Sequence, residues 1–192
     1  MTRPAVPLDA RELKIEGAFE FTPELYRDPR GLFVTTYTES VFTAATGAPL
    51  TVAQAGCSVS RRGVLRGVHF TRTPPGMTKY CFCVSGRALD FVVDLRVGSP
   101  TFGEWDSLVL GRDGFRATYC PVGVGHAFLA LEDDTVMTYL MSSEYEQANE
   151  LAVSPVDPEL GLPIELEPIL SDRDRDAPTL AQARALGLLP VF

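Results

Sequence analysis

The stretch KYCFCVSGRALDFVVDLR, residues 79–96, shows the pattern that decides the fold. Two runs rich in β-branched and aromatic residues flank a Ser-Gly turn signal at residues 85–86, as two consecutive strands would. In the second run the side chains alternate between two faces, one carrying Leu89, Phe91, Val93 and Leu95 and the other Asp90, Val92, Asp94 and Arg96. If the charged face lies inside the protein, its charges need partners or a ligand.

Segments of the same kind continue on both sides of this stretch, separated by turn signals such as Pro75-Gly76 and Asp113-Gly114. They are LFVTTYT, TVAQAGCSVS, VLRGVHF, DSLVLG, FRATYC, HAFLALE and TVMTYLMS. The Asp-Gly pair between DSLVLG and FRATYC predicts a tight hairpin. Helical signal is confined to SVFTAATG and TLAQARALGLL. The pattern predicts an all-β antiparallel sandwich or barrel with short peripheral helices, formed as one domain by residues 1–192.

Composition excludes several classes of partner. The chain has 192 residues, 45% hydrophobic and 22% charged, which is typical of a soluble globular protein. A net charge of −8 argues against nucleic acid or an anionic membrane as partner, although a local cluster of Arg and Lys can still bind a small anion. No apolar run is long enough to span a bilayer, and MTRPAVPLDARELK lacks the apolar core of a signal peptide. We therefore expect a cytoplasmic protein.

The cysteines and histidines argue against a metal site. Cys81 and Cys83 would point to one face of a strand, and the spacing predicts reduced, packed thiols better than a zinc or redox pair. The two histidines, His69 and His126, are too few for the set of several histidines and a carboxylate by which many β-barrel enzymes hold a metal. A histidine acting as general base is the more economical interpretation, because its pKa of about 6.5 lies near working pH.

The segment RGVLRGVHF holds an arginine close to a potential base. Strict alternation would send Arg66 and His69 to opposite faces, so both can line one site only if the strand bulges or twists at Gly67. The alternative is an ordinary strand that carries one isolated histidine.

Three further features each allow two interpretations. Lys79 and Asp90 lie on either side of the Ser-Gly turn, and form either a buried pair or a solvent-facing one. Tyr139 is either a core residue with a satisfied hydroxyl or a proton donor. The charge run in LSDRDRDAP would ordinarily be a solvated loop.

Taken together, the segments resemble the dTDP-4-dehydrorhamnose 3,5-epimerase family. The resemblance rests on DPRGLF, VAQAGCSVSRRGVLRGVHF, PPGMTKY, VVDLRVGSPTFGEW, GVGHAFLALEDD, residues 139–150 and LSDRDRDAP, which occur in the family's order and cover nearly the whole chain. It implies a cupin-type jelly roll, a homodimer and a cofactor-free enzyme acting on a dTDP-4-keto-6-deoxyhexose. The similarity is greatest to the branch that makes L-configured deoxysugars for secondary metabolites.

The resemblance also assigns roles to individual residues. It implies that His69 is the catalytic base, that Asp174 orients it, that Tyr139 is the acid on the opposite face of the sugar, and that Lys79 lies near the C4 oxygen. The residues implied to contact the ligand are Arg30, Gln54, Arg66, Asp90, His126, Tyr145, Glu150 and Arg173.

The chain departs from the family's pattern at three places. Members with the rhamnose activity carry Glu where Thr35 stands, Asn where Gly56 stands, and a Trp-Pro pair near GLPIE. These departures bear on which carbon, C3 or C5, is epimerised. Two other functions fit the same residues, namely a 3,4-ketoisomerase of similar sugar nucleotides and a non-catalytic sugar-nucleotide-binding cupin.

Overall fold

The structure, a computed structural model, describes residues 8–192. Its strands are β1 (Leu8–Glu12), β2 (Phe19–Pro23), β3 (Leu25–Asp28), β4 (Gly31–Val34), β5 (Gln54–Ser60), β6 (Leu65–Thr71), β7 (Lys79–Ser85), β8 (Arg87–Asp94), β9 (Trp105–Gly111), β10 (Ala117–Cys120), β11 (Val124–Ala130), β12 (Thr135–Met141) and β13 (Glu150–Ala152). The helices are α1 (Glu39–Thr46), α2 (Asp172–Arg175) and α3 (Leu180–Ala185). None of the described helices is long and apolar enough to cross a membrane.

Two antiparallel sheets make up most of the fold. The six-stranded sheet has the order β1-β2-β10-β7-β12-β5, and the five-stranded sheet has the order β13-β6-β11-β8-β9. Strands β3 and β4 form a separate two-stranded hairpin. The turn at residues 85–86 carries the chain from β7 in one sheet to β8 in the other, so the two strands that decide the fold belong to different sheets. The prediction of an all-β, cupin-type jelly roll with short peripheral helices is confirmed.

The core has three parts, one between the sheets and one on the outer side of each. Val92 of β8 packs between the sheets with Cys81 and Cys83 of β7, whereas Phe91 and Val93 pack on the outer side beneath the C-terminal segment. The third part lies under α1. The alternation predicted for β8 is therefore confirmed. All four cysteines are free, and the packed thiols predicted on β7 are confirmed as fully buried.

The hairpin predicted at Asp113-Gly114 is wrong. Strand β9 pairs with β8, whereas β10 pairs with β2 and β7 in the other sheet. The Asp-Gly turn thus connects two sheets instead of two paired strands, because local turn chemistry does not specify the partner of each strand. The left-handed backbone conformation falls on Phe115, with φ of 48°, and not on Gly114.

Candidate active site

A bulge in β6 brings Arg66 and His69 to the same cavity. His69 pairs with His126 of β11, and Arg66 pairs with Phe128. Between these two pairs β6 contains one more residue than β11, which is the definition of a β-bulge. Gly67 lies inside the bulge with φ of 125°, and a Cβ there would stand 2.4 Å from the Cβ of Ala127. Only glycine satisfies both the conformation and the close approach. The bulge predicted at Gly67 is confirmed.

The imidazole of His69 is bonded to a carboxylate from the far end of the chain. Its Nε2 lies 2.6 Å from Oδ1 of Asp174, whose side chain is only 4% exposed. Asp174 belongs to α2, whose first turn is fixed by a hydrogen bond from the Asp174 amide to the hydroxyl oxygen of Ser171, 3.1 Å away. The charge run predicted from sequence alone to be a solvated loop is therefore a short helix with one inward carboxylate.

Burial and hydrogen bonding set the charge states of this pair. Desolvation lowers the pKa of His69, and it outweighs the opposing effect of Asp174. Burial by itself would raise the pKa of Asp174, but hydrogen bonds from His69 and Ser171 bring that pKa below its ordinary value. Both shifts favour a neutral imidazole beside an ionised carboxylate. The Nε2–H then donates to Asp174, and Nδ1 is left as the free base.

A cavity of about 170 Å³ lies on the inner side of β6. It is lined by Arg66, His69, Lys79, His126, Phe128, Tyr139 and Met141. His69 reaches it from the five-stranded sheet, and Tyr139 from the six-stranded sheet. A ring bound in this cavity would therefore have the imidazole and the phenol on opposite sides.

Tyr139 is a partly buried phenol with one hydrogen-bond partner among the described residues. Its Oη lies 2.9 Å from Oγ of Ser58 on the neighbouring strand β5, and its ring stands edge-on to that of His126 with centroids 6.3 Å apart. Burial raises the pKa of Tyr139 well above its ordinary value, while the bond to Ser58 acts in the opposite direction. Sequence reasoning missed Ser58. The available signal was the period-two alternation of β5, which places Ser58 on the same face as the predicted ligand contact Gln54.

The Lys79–Asp90 pair predicted from the sequence is wrong. Asp90 is fully buried, and its Oδ1 lies 2.7 Å from Nε2 of His126 on the adjacent strand. Its other oxygen, Oδ2, has no hydrogen-bond partner among the described residues. Lys79 lies on the opposite sheet, and no carboxylate oxygen of residues 8–192 is within ion-pair distance of its Nζ. The sequence places the two residues close in the chain, but the turn between them changes sheets.

A second cavity, of about 370 Å³, adjoins the first on the other side of His69. It shares Arg66 and His69 with the first cavity and is closed by α2, which contributes Arg173 and Asp174. Two guanidinium groups thus flank a space next to the base, which suits an anionic group. Arg66 also donates through Nε to the hydroxyl oxygen of Ser60, 3.1 Å away.

Five of the predicted ligand contacts line neither cavity, and one of these, Asp90, is the buried partner of His126. Gln54 accepts a hydrogen bond from the amide of Tyr145 at 2.7 Å, and Glu150 accepts one from the hydroxyl of Thr71 at 2.8 Å. Arg30 lies in the turn of the β3–β4 hairpin, where its side chain is 89% exposed and paired with Asp28. A single copy of the chain therefore brings the predicted catalytic group together with Arg66, His126 and Arg173. The other predicted contacts, Arg30, Gln54, Asp90, Tyr145 and Glu150, do not line the cavities.

No three His, Cys, Asp or Glu side chains within residues 8–192 form a cluster that could hold a metal ion. The groups that the structure does bring together are a histidine hydrogen-bonded to a carboxylate, a tyrosine from the opposite sheet and a lysine of β7. A jelly roll with this arrangement defines a cupin-type acid–base enzyme that moves protons on a small, anionic ligand.

Comparison with known proteins specifies the family. The family model for dTDP-4-dehydrorhamnose 3,5-epimerase matches residues 12–182, and the chain belongs to this family of sugar-nucleotide epimerases. It is 51% identical to a dTDP-4-dehydrorhamnose 3,5-epimerase of Mycolicibacterium smegmatis over 96% of this chain and 92% of that one. It is 50% identical to a dTDP-4-dehydrorhamnose 3-epimerase of Streptomyces niveus, over 95% and 88%.

Solved structures agree with this assignment. NovW, a 4-keto-6-deoxy sugar epimerase of the novobiocin gene cluster of Streptomyces spheroides, superposes with a TM-score of 0.95 at 47% identity, covering 100% of this chain and 97% of that one. ChmJ, a 3'-monoepimerase of Streptomyces bikiniensis bound to dTDP-quinovose, gives 0.90 at 48% identity, over 93% and 91%. ChmJ has also been solved as a double mutant in which one histidine and one tyrosine are replaced.

Proposed function

We propose that the chain epimerises a dTDP-4-keto-6-deoxyhexose at C3, at C5 or at both, by removing and returning the proton next to the C4 ketone. One observation carries the proposal. The His69–Asp174 pair and Tyr139 reach one cavity from opposite sheets, which is the arrangement that inversion of a carbon between them requires.

The first step is removal of the α-proton. Nδ1 of His69 takes the proton, and the electron pair of the C–H bond moves into the C4 carbonyl to give an enolate. The lowered pKa of His69 keeps the imidazole neutral and available at pH 7. Asp174 stabilises the imidazolium that forms, as a carboxylate bonded to the far ring nitrogen does.

The enolate oxygen needs a positive charge or a donor. Lys79 supplies it in this proposal, since its side chain lines the cavity and no carboxylate of the described residues neutralises it. Such stabilisation of a developing oxyanion is often the largest contribution to catalysis. His126, held by Asp90, lies on the facing sheet and serves as a further contact to the sugar.

The second step returns a proton on the other face. Tyr139 gives its phenolic proton to the carbon, and burial keeps that phenol protonated at neutral pH because it raises the pKa. The tyrosinate that remains is reprotonated from solvent, and His69 loses its proton to solvent. The cycle is balanced without an oxidant or reductant.

The arginines among the predicted ligand contacts bind the nucleotide in this proposal. Arg66 and Arg173 flank the larger cavity and suit the diphosphate. Arg30 is 89% exposed and lines neither cavity of its own chain, so in this proposal its contact comes from a second copy. We accordingly propose a homodimer in the cytoplasm, with each chain one domain over residues 1–192, which makes an L-deoxysugar for a secondary metabolite. Light scattering would test the oligomeric state.

The test is proton NMR of dTDP-4-keto-6-deoxyglucose with the enzyme in D₂O, following H3 and H5 separately. Exchange with inversion at both positions indicates a 3,5-epimerase, and exchange at one position assigns that carbon. The similar relatives carry both activities at nearly equal identity, so this experiment decides between them. A product whose ketone has moved from C4 would instead indicate the ketoisomerase, and binding without exchange a recognition module.

A further inference from the structure

We propose that Ser58 is a positioning residue for the proton-return step: its hydroxyl donates to the phenol oxygen of Tyr139, turns the phenolic proton toward the sugar and holds the tyrosinate that remains. The inference rests on the proposed function, because it assigns Ser58 to the half of the reaction that inverts the carbon. It leaves the proton-removal half to His69 and Asp174.

Strand pairing places Ser58 beside the tyrosine. Strands β5 and β12 are antiparallel neighbours in which Gly56 pairs with Tyr139 and Ser58 pairs with Met137. Gln54 and Ser58 are partly buried, whereas the alternate residues of β5, Ala55, Cys57 and Val59, are exposed. Ser58 therefore points to the same inner face as Tyr139 and reaches it diagonally. Gly56, directly opposite the tyrosine, has no side chain to intervene.

The bond is exclusive to these two groups within residues 8–192. The hydroxyl of Ser58 has no other hydrogen-bond partner there, and the same is true of the phenol of Tyr139. Each group has one hydrogen to donate and lone pairs to accept with. The 2.9 Å contact can therefore be made in two ways, with Ser58 donating or with Tyr139 donating.

Only one of the two arrangements permits catalysis. When Tyr139 donates to Ser58, its proton points along β5 and away from the sugar. When Ser58 donates to Tyr139, the phenolic proton is free to point into the cavity. After that proton is transferred, the phenolate can only accept, and the Ser58 hydroxyl becomes a charge-assisted donor to it. A hydroxyl that donates to the phenolate oxygen lowers the pKa of Tyr139, and the bond to Ser58 acts in that direction.

The test separates proton exchange from inversion. Ser58→Ala should keep deuterium incorporation at the reacting carbon within about twofold of wild type. Inversion should fall by about 10- to 100-fold, the usual effect of losing a hydrogen bond to a charged group. Ser58→Thr keeps a hydroxyl and should restore most of the inversion. Cys57→Ala, an exposed neighbour on the same strand, is the matched control and should behave as wild type.

A pH profile gives a second readout. Without the serine donor the pKa of Tyr139 rises, so any alkaline limb of kcat for inversion should move to higher pH in Ser58→Ala. KM should change little, because Ser58 acts through Tyr139 and does not line the cavity. If the alanine variant fails to fold, Ser58→Cys provides the same test, since a thiol of similar size is a much weaker donor.

Specific outcomes would overturn the inference. Equal loss of exchange and inversion in Ser58→Ala, or no loss of either, would show that the hydroxyl has only a structural role or none. A threonine variant as slow as the alanine variant would also count against it. If wild-type enzyme shows no exchange at all, the proposed function fails and the role of Ser58 fails with it. If wild-type enzyme is active, a negative result in the variants overturns the role of Ser58 alone.

Discussion

Oδ1 of Asp174 lies 2.6 Å from Nε2 of His69, although 105 residues separate the two in the chain. The bulge in β6 turns the imidazole toward α2, and the Ser171 cap fixes the first turn of that helix. The contact leaves Nδ1 without the proton and, in the proposed mechanism, provides a negative charge for the imidazolium. The proposal thus makes the C-terminal segment part of the catalytic machinery.

Replacing Asp174 by Asn should leave the fold intact and reduce kcat/KM by about 10²–10⁴-fold, the range that general acid–base catalysis contributes. The amide keeps the size of the side chain but cannot stabilise an imidazolium, and it also lowers the pKa of His69 further. Steady-state rates and a histidine NMR titration check the two effects. Wild-type activity in this variant would contradict the assigned base.

Tyr139→Phe should retain proton exchange at the α-carbon and lose most of the inversion. The base and the enolate site are untouched, but no acid stands on the opposite face. NMR in D₂O measures both quantities on one sample. Equal loss of exchange and inversion would indicate that Tyr139 does not act as the acid. His69→Ala is the complementary variant, and should abolish both.

The midpoint of the acid limb of kcat/KM should lie below pH 6.5, the ordinary pKa of histidine. Desolvation lowers the pKa of His69, so the base remains neutral to lower pH. The same sign applies to stability: the folded state binds fewer protons than the unfolded state, so the contribution of His69 is present above about pH 6.5 and is lost as the pH falls through the lower folded pKa.

Two measurements check this pH dependence. The pH–rate profile of wild type gives the acid limb, and urea unfolding between pH 7 and pH 5 gives the loss of stability. His69→Gln removes the titrating group, and its free energy of unfolding should depend less on pH over that interval. A wild-type limb above pH 6.5 would mean that Asp174 outweighs desolvation.

Local pattern was sufficient for most of the fold. Period-two alternation identified strands such as β8, because its two faces pack into different parts of the core. Local pattern failed to predict which strands pair, because long-range packing determines strand pairing. The turn at Asp113-Gly114 has hairpin chemistry but changes sheets, and the N-terminal strands β1 and β2 carry too many polar residues to stand out.

The site divides in the same way. Resemblance to a family selected His69, Tyr139 and Asp174, which the structure brings to one place. The residues alone left two roles open for Tyr139, a core residue or a proton donor. They predicted a solvated loop for the segment around Asp174, because the sequence does not show that this segment packs against the bulge in β6. The prediction that Asp90 pairs with Lys79 was wrong for a related reason. The two residues are only eleven positions apart in the chain but lie on different sheets.

Gly67→Ala should destabilise the protein by about 2–5 kcal/mol, from the sum of backbone strain and overpacking. Its φ of 125° disfavours any side chain, and the new methyl would stand 2.4 Å from the Cβ of Ala127. Relief of that clash would straighten β6 and move His69. Gly114→Ala is the matched control, since its φ is ordinary and its nearest contact is 3.6 Å away. Thermal unfolding of both variants measures the loss of stability. A similar loss in each variant would contradict the argument.

Gly56→Asn should fold as wild type and bind substrate more tightly. Glycine is not required there by the backbone, because φ is ordinary and a Cβ would meet only the Cε of Met141, at 3.7 Å. The position pairs with Tyr139 and faces the inner side of the sheet, so an asparagine would add an amide at the edge of the cavity. One hydrogen bond to the ligand should lower KM by about 3- to 10-fold with kcat nearly constant.

Gly56→Ala, which fills space without an amide, separates the two effects: a lower KM in both variants would show that packing, and not the hydrogen bond, is responsible. A raised KM in the asparagine variant alone would show that the open space at Gly56 accommodates part of the sugar nucleotide.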